Sequence, residues 1–438
     1  MENITQISQA MQTVLMEEAD ELAKETGFIM REVKLTGRAF IQSLVFGFQS
    51  NPDLTYGELS QSAAMLGLEM SAQGLEQRFS RRAAEFVERV LETAVEKTIK
   101  GEKTNVPLLA RFTGVYVRDS SIIELPKELK GIWRGNGGSQ GENAALKLQV
   151  NLNYSNGELS GPVLQHGRSQ DQTSPFQEIV LPAGALHLAD LGYFDLDRLQ
   201  SDDERQVYWL SRWKVGTVMY GENEERIDLL RWLQNQPAAQ VDIPIHLGAK
   251  HRIPCRLLIQ PVPQEVVDQR RRRMKDEGRK KGQPVTEERL ALAAWSIVVT
   301  NVPAEKLSLK EAWIILRIRW QVELLFKLWK SHAKIDEWRT KNPWRILCEI
   351  YAKLIGLVIH QWIFISSLWK YPERSLFRAA KTIQKFSVAL AISMKDPIRL
   401  EQVLISLEKC LMAHCRQETR RKHPATFQLL ITVTEAPL

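Results

Sequence analysis

Between residues 313 and 330 the chain reads Trp-Ile-Ile-Leu-Arg-Ile-Arg-Trp-Gln-Val-Glu-Leu-Leu-Phe-Lys-Leu-Trp-Lys. Wound as one helix at about 100° per residue, this run sets Leu316, Arg319, Glu323, Lys327 and Lys330 on one narrow stripe. Only Arg317 and Gln321 interrupt the apolar coat on the other sides. A helix that is apolar almost all round is buried. Its charged stripe therefore faces either solvent through a slot, as i,i+4 ion pairs of Arg319, Glu323 and Lys327, or a functional cleft.

Two upstream segments bear on that choice. Residues 113–121 (Thr-Gly-Val-Tyr-Val-Arg-Asp-Ser-Ser) and 185–194 (Ala-Leu-His-Leu-Ala-Asp-Leu-Gly-Tyr-Phe) read as short buried strands, each ending in an aspartate, Asp119 and Asp190. An acid at the tip of a buried strand faces the crevice where open α/β sheets place ligands, although either one alone reads better as a strand-end turn residue. With Glu323 they make a candidate metal site. Three carboxylates brought together repel and raise one another's pKa unless divalent cations neutralise them. Oxygen-only ligands suit Mg²⁺, or Mn²⁺ in its place, and such ions share their coordination with phosphate. If the acids converge, two ions could hold a phosphodiester between them, one activating the attacking oxygen and the other stabilising the leaving one.

These residues resemble the DDE transposases of bacterial insertion sequences, specifically the insertion-sequence-four family, to which the transposon-five transposase belongs. The family signature around its third acid, Tyr-x2-Arg-x3-Glu-x6-Lys, is met by Arg319, Glu323 and Lys330, with Leu316 standing where the family has tyrosine. Residues 299–303 (Val-Thr-Asn-Val-Pro) are similar to its closing strand and loop, and residues 190–194 to its second-acid motif. The resemblance implies a cut-and-paste DNA transposase that binds terminal inverted repeats, cleaves the element ends by two-metal hydrolysis and joins the 3′ ends to target DNA. It further implies Asp119, Asp190 and Glu323 as catalytic metal ligands. Arg319 and Lys330 would act on DNA phosphates, and a homodimer would hold the synaptic complex. Trp295 stands where the family keeps a base-stacking tryptophan, but packing in the core is an equal reading for it. A second class of function is a catalytically silent relative that binds DNA as a regulator or inhibitor of transposition, and only Leu316 points that way.

The expected fold class is α/β: an RNase H-like core, residues 106–214 and 301–370, interrupted by a β-rich insertion at 215–300. A helical DNA-binding domain at 1–105 and a helical C-terminal region at 371–438 complete it. The strand alternation of residues 148–154, running into Asn156-Gly157, is a hairpin signal. The stretch between Asp190 and Glu323 far exceeds a single strand-to-helix connection, hence the insertion. Residues 55–67 and 71–82 read as two short helices about a glycine turn, which suits either a helix-turn-helix or an ordinary bundle. In the second, Gln73, Gln77, Arg78, Arg81 and Arg82 offer groups for bases and phosphates. A basic run that includes Arg271 and Arg272 reads as a solvated surface or as a flexible arm on the DNA backbone.

The net charge of +7 favours polyanionic partners only weakly. The Gly-rich stretch 135–139 lacks a P-loop lysine and a following helix, so no nucleotide cofactor is expected. Four cysteines show no metal-type spacing and read as reduced core thiols. Residues 354–369 are apolar but divided by His360 and Gln361, a buried helix rather than a membrane span. With no signal peptide visible, the expected location is the cytoplasm, with nucleoid association when DNA is bound.

Overall fold

The computed structural model describes residues 2–31, 34–137, 143–235 and 240–435. The end of the Gly-rich stretch, residues 138 and 139, lies outside these. Nine strands occur among the described residues: β1 (Val115–Leu125), β2 (Ala144–Asn153), β3 (Leu159–His166), β4 (Leu186–Ala189), β5 (Tyr208–Arg212), β6 (Met219–Tyr220), β7 (Val241–Leu247), β8 (Ile253–Pro261) and β9 (Trp295–Thr300). They form one mixed sheet in the order β3-β2-β1-β4-β5-β9-β8-β7-β6.

The chain divides into two compact units. One comprises residues 1–107, 119–170 and 320–438, the other residues 108–118 and 171–319, and β1 runs through both.

The first unit is mainly helical. Its centre is the helix Pro343–Ser367, whose most apolar window is wholly buried. It is the one described helix long and apolar enough to cross a membrane, and its burial is that of a core element. Asn342 caps it, accepting from the N–H groups of Trp344 and Arg345 at 3.0 and 3.3 Å, and Pro343 occupies the first turn, where a missing N–H costs nothing. In the same unit β2 and β3 pair antiparallel as the expected hairpin.

The N-terminal helices depart from expectation in one place. The helix Tyr56–Met65 begins in a capping box between Thr55 and Glu58, but residues 71–82 are not one helix. A short turn, Ala72–Glu76, ends there, and Arg81 and Arg82 open a separate helix, Arg81–Glu96, because the Ser80 hydroxyl accepts from Ala83 N–H and restarts the chain.

The second unit is built on parallel pairs β1–β4 and β4–β5, with β9 antiparallel to both β5 and β8. Strands β6 to β8 therefore extend this sheet through β9. Trp209, Leu247, Leu257, Ile259 and Val299 bury its core. The basic run is a helix, Gln264–Lys281, closed by Gly282 at φ 63°. That corrects the expected flexible arm: Val267 is buried and gives the run an inward face, while Arg270 and Arg271 donate to backbone carbonyls of Trp295 and Leu290 at 2.9 Å.

Candidate active site

In the second unit, Val115, Tyr116 and Val117 of β1 pair with Leu186, His187 and Leu188 of β4 in parallel register. Val115, Val117, Leu186 and Leu188 are fully buried, which fixes the register, since a one-residue slip would turn all of them to the other face. Asp119 and Asp190 each follow two residues after the last pair, Val117 and Leu188. Side chains alternate along a strand, so each aspartate continues the face of those two residues. Asp190 is not at a conventional cap: its side chain takes no cap hydrogen bond from the short turn Leu191–Tyr193. Its carboxylate instead stands 3.5 Å from Nη1 of Arg319, which is only 8% exposed. Burial of that depth is rare for arginine without a paired acid.

Asp119 was expected at a strand tip, yet it lies mid-strand. The residues that follow include β-branched Ile122 and Ile123, which favour continued extension, and β1 goes on beyond the short β4 to Leu125 beside β2. Asp119 is half-buried, and its Oδ1 accepts the N–H of Ser120 at 2.8 Å.

The expected single helix over residues 313–330 is two helices, Leu309–Leu316 and Arg319–Ser331. Arg317 and Ile318 donate to Ile314 and Ile315, three residues back, at 3.1 and 2.8 Å. This tighter turn breaks the α register and leaves Leu316 on the preceding helix, off the stripe. On the second, the glutamate helix, Val322, Leu325, Phe326, Leu328 and Trp329 are buried. Glu323 is half-buried and Lys327 exposed. Lys330 Nζ donates to the carbonyl of Ile122 on β1 at 3.0 Å and lies 4.0 Å from Asp336. Trp320, three residues before Glu323 and hence on a neighbouring part of the same face, is 55% exposed. Sequence reasoning passed over it, because one more aromatic in an apolar run carries no signal of exposure.

A second set of residues escaped notice. On the opposite face of β1 and β4, Arg118 and His187 are buried with Asp202 of the helix Leu196–Glu204, beside part-buried Arg198 of the same helix. His187 Nδ1 lies 3.1 Å from Asp202 Oδ2, and Arg198 Nε lies 2.9 Å from Asp202 Oδ1. Arg118 donates to Gln177 Oε1 at 3.2 Å and Arg198 to Ile179 O at 2.9 Å. Burial, and then the Arg118 charge, pushes His187 down to about 4, so it is neutral and donates its Nδ1 proton. Burial lowers Arg118 to about 10. Asp202 would be raised by burial, but the hydrogen bond from His187 and the charge of Arg198 hold it below its ordinary value. The only clue in the sequence was a polar residue inside each otherwise apolar strand.

Among the N-terminal candidates, Gln73, Gln77, Arg78 and Arg81 are exposed while Leu75 and Phe79 point inward. Arg82 is also exposed, with Nη1 3.4 Å from the Gly27 carbonyl. Arg272 is exposed on the basic helix. Trp295 is half-buried against the core of its own unit, the packing alternative.

Three half-buried carboxylates are hard oxygen donors of the kind that Mg²⁺ and Mn²⁺ take, so the donor chemistry fits a divalent cation. Among the described residues no three acidic, histidine or cysteine side chains are gathered closely enough to hold one as they stand.

The chain is similar to known proteins along most of its length. The family described as transposase DDE domain matches residues 110–359, which include Asp119, Asp190 and Glu323. The transposase for insertion sequence element IS231E of Bacillus thuringiensis subsp. finitimus is 27% identical, covering 95% of this chain and 92% of that one. The transposase for IS1151 of Clostridium perfringens is 25% identical over 80% of this chain and 78% of its own length. A solved piggyBac transposase synaptic complex with hairpin DNA aligns with a TM-score of 0.47 at 8% identity over 95% of this chain and 86% of that one, a likeness at which no function transfers.

Proposed function

Because the chain belongs to the transposase DDE domain family, among insertion-sequence transposases, we propose that it cuts its element free at terminal inverted repeats and joins the 3′ ends to target DNA. Asp119, Asp190 and Glu323 are its catalytic acids. The observation that carries this reading is the parallel pair Val117–Leu188, from which each strand reaches its aspartate two residues later on the same face. Asp190 pairs with Arg319, the residue that opens the glutamate helix one turn before Glu323. The strand order β3-β2-β1-β4-β5, with β1, β4 and β5 parallel and β2–β3 antiparallel, supports an RNase H-like core.

DDE transposase domains use divalent metal ions. In this chain Asp119, Asp190 and Glu323 would hold two Mg²⁺ ions, which when bound activate the attacking water or 3′-hydroxyl and stabilise the leaving oxygen. The protein's own residues do the rest. Arg319, fixed on Asp190 and nearly buried, offers a planar fork suited to a phosphate of the end DNA. Lys330, braced on the Ile122 carbonyl, supplies a second cation on the same helix. Holding the scissile phosphate in line converts an encounter between molecules into a step within one complex. The exposed indole of Trp320 offers a stacking surface for an unpaired base, a contact that tolerates any sequence. Gln73, Gln77, Arg78 and Arg81 read the end, and Arg272 with the basic helix follows the backbone. A homodimer pairs two ends on nucleoid DNA in the cytoplasm. Leu316, standing where the family has tyrosine, bears on the positioning of DNA rather than on metal binding by the three acids.

The test is a plasmid carrying the gene with its native flanks, incubated with the purified protein, Mg²⁺ and a second plasmid. Excision of a discrete fragment and its joining to the second plasmid is the expected outcome. A protein that shifts the flanking DNA but never nicks it would instead be the silent regulator.

A further inference from the structure

Beyond Ser331 the glutamate helix closes on a backbone turn that holds Lys334 in the left-handed region, at φ 48°. His332 N–H donates to Leu328 O at 2.8 Å and Ile335 N–H to Trp329 O at 3.4 Å. This is a helix C-terminal cap, whose left-handed position is usually glycine. A lysine there bears a steric cost that glycine avoids, so the reason for a lysine lies in its side chain.

That side chain reaches Asp53 with a hydrogen-bonded ion pair. Asp53 stands two residues before Thr55, the cap of the helix Tyr56–Met65. The Lys334 carbonyl accepts from Lys353 Nζ at 2.9 Å, and Lys353 donates to Glu349 Oε1 at 2.8 Å on the buried helix Pro343–Ser367. On the same helix Arg345 donates to Leu54 O at 2.7 Å and covers the Tyr56 ring at 3.8 Å. The end of the glutamate helix and the start of the N-terminal helix pair are thus fastened to each other and to a common core helix. The hydrogen bond from Lys334 leads in holding the Asp53 carboxyl below its ordinary value, against a smaller opposing effect of burial.

We propose that Lys334 is a positioning residue: through Asp53 it sets the glutamate helix against the helices that read the element end, so that a bound end finds Glu323 placed for cleavage. The inference rests on the proposed function. A half-buried ion pair at the protein surface, acting only on stability, would contribute modestly, and its loss would leave the reaction unchanged.

The variant Lys334→Gly separates the two roles, since it deletes the ammonium while relieving the backbone. It is expected to melt no lower than the wild type and to bind a flank-derived duplex within about twofold of it. Cleavage of the bound duplex should fall by at least about tenfold, since a misplacement of about 1 Å can cost up to about a hundredfold. Lys334→Arg should restore the rate and Asp53→Ala should reproduce the loss, which keeps the test decisive if the glycine variant fails to fold. Wild-type cleavage of bound duplex by a folded Lys334→Gly or Asp53→Ala protein would overturn the proposal, as would parallel losses of binding and cleavage. A wild-type protein that neither binds nor cuts the duplex would remove the function beneath it, a different failure with a different signature.

Discussion

Glu323→Gln is expected to abolish strand cleavage, by at least about a thousandfold, while end binding stays within about twofold of the wild type. The amide keeps the shape and half-buried position of the side chain on the Arg319–Ser331 helix, so folding is spared. It removes the anionic oxygen that a hard divalent cation requires. Metal-assisted charge stabilisation amounts to several kcal/mol, and about 4 kcal/mol corresponds to roughly a thousandfold in rate. Asp119→Asn and Asp190→Asn should behave alike, with one distinction. Asp190 is also the partner of nearly buried Arg319, so its variant should lose some thermal stability as well, where Asp119→Asn should not. A gel assay of nicking, alongside a shift assay of binding, separates these outcomes. Undiminished nicking by any of the three would remove that residue from the chemistry.

The second large effect concerns folding. Asp202→Ala deletes the only carboxylate among the described contacts of buried His187 and of Arg198, whose side chain is 11% exposed. An uncompensated buried charge costs about 3–5 kcal/mol, enough to consume a large part of a domain's stability. Acid sensitivity adds a sign that can be checked. His187 has a folded value near 4, below its ordinary 6.5. The unfolded chain therefore binds the extra proton between those limits, and the wild type loses stability as pH falls through that interval. Without Asp202 the hydrogen bond that favours the protonated ring is gone, so the loss should extend to lower pH. A denaturant midpoint equal to the wild type at pH 7 would show that the pair is dispensable.

The family was more legible in the sequence than the backbone geometry of its segments. Asp119, Asp190 and Glu323 stood out because each is an acid set against an apolar background. The run 313–330 misled because its apolar coat is continuous across Leu316 and Ile318, and side-chain periodicity is blind to the backbone closing three residues back instead of four. Residues 71–82 read as one short helix, whereas the Ser80 hydroxyl begins a new one. The basic run disguised a helix because charge dominated its composition, although Gly282 and Val267 carried the end signal and the inward face. His187 and Asp202 meet across a strand-to-helix connection, and Lys334 and Asp53 from opposite ends of the chain, so neither pairing leaves a local trace.

The account depends on three separated carboxylates binding cations together, and Fe²⁺ substituted for Mg²⁺ tests this directly: with added hydrogen peroxide and ascorbate, the bound iron reduces peroxide to hydroxyl radicals that cut the nearby backbone. With end DNA present, cuts are predicted around residues 119, 190 and 323 in the same sample, and all three should vanish together in Asp119→Asn. Cuts confined to one of these segments, or persisting at the others in that variant, would contradict a shared site.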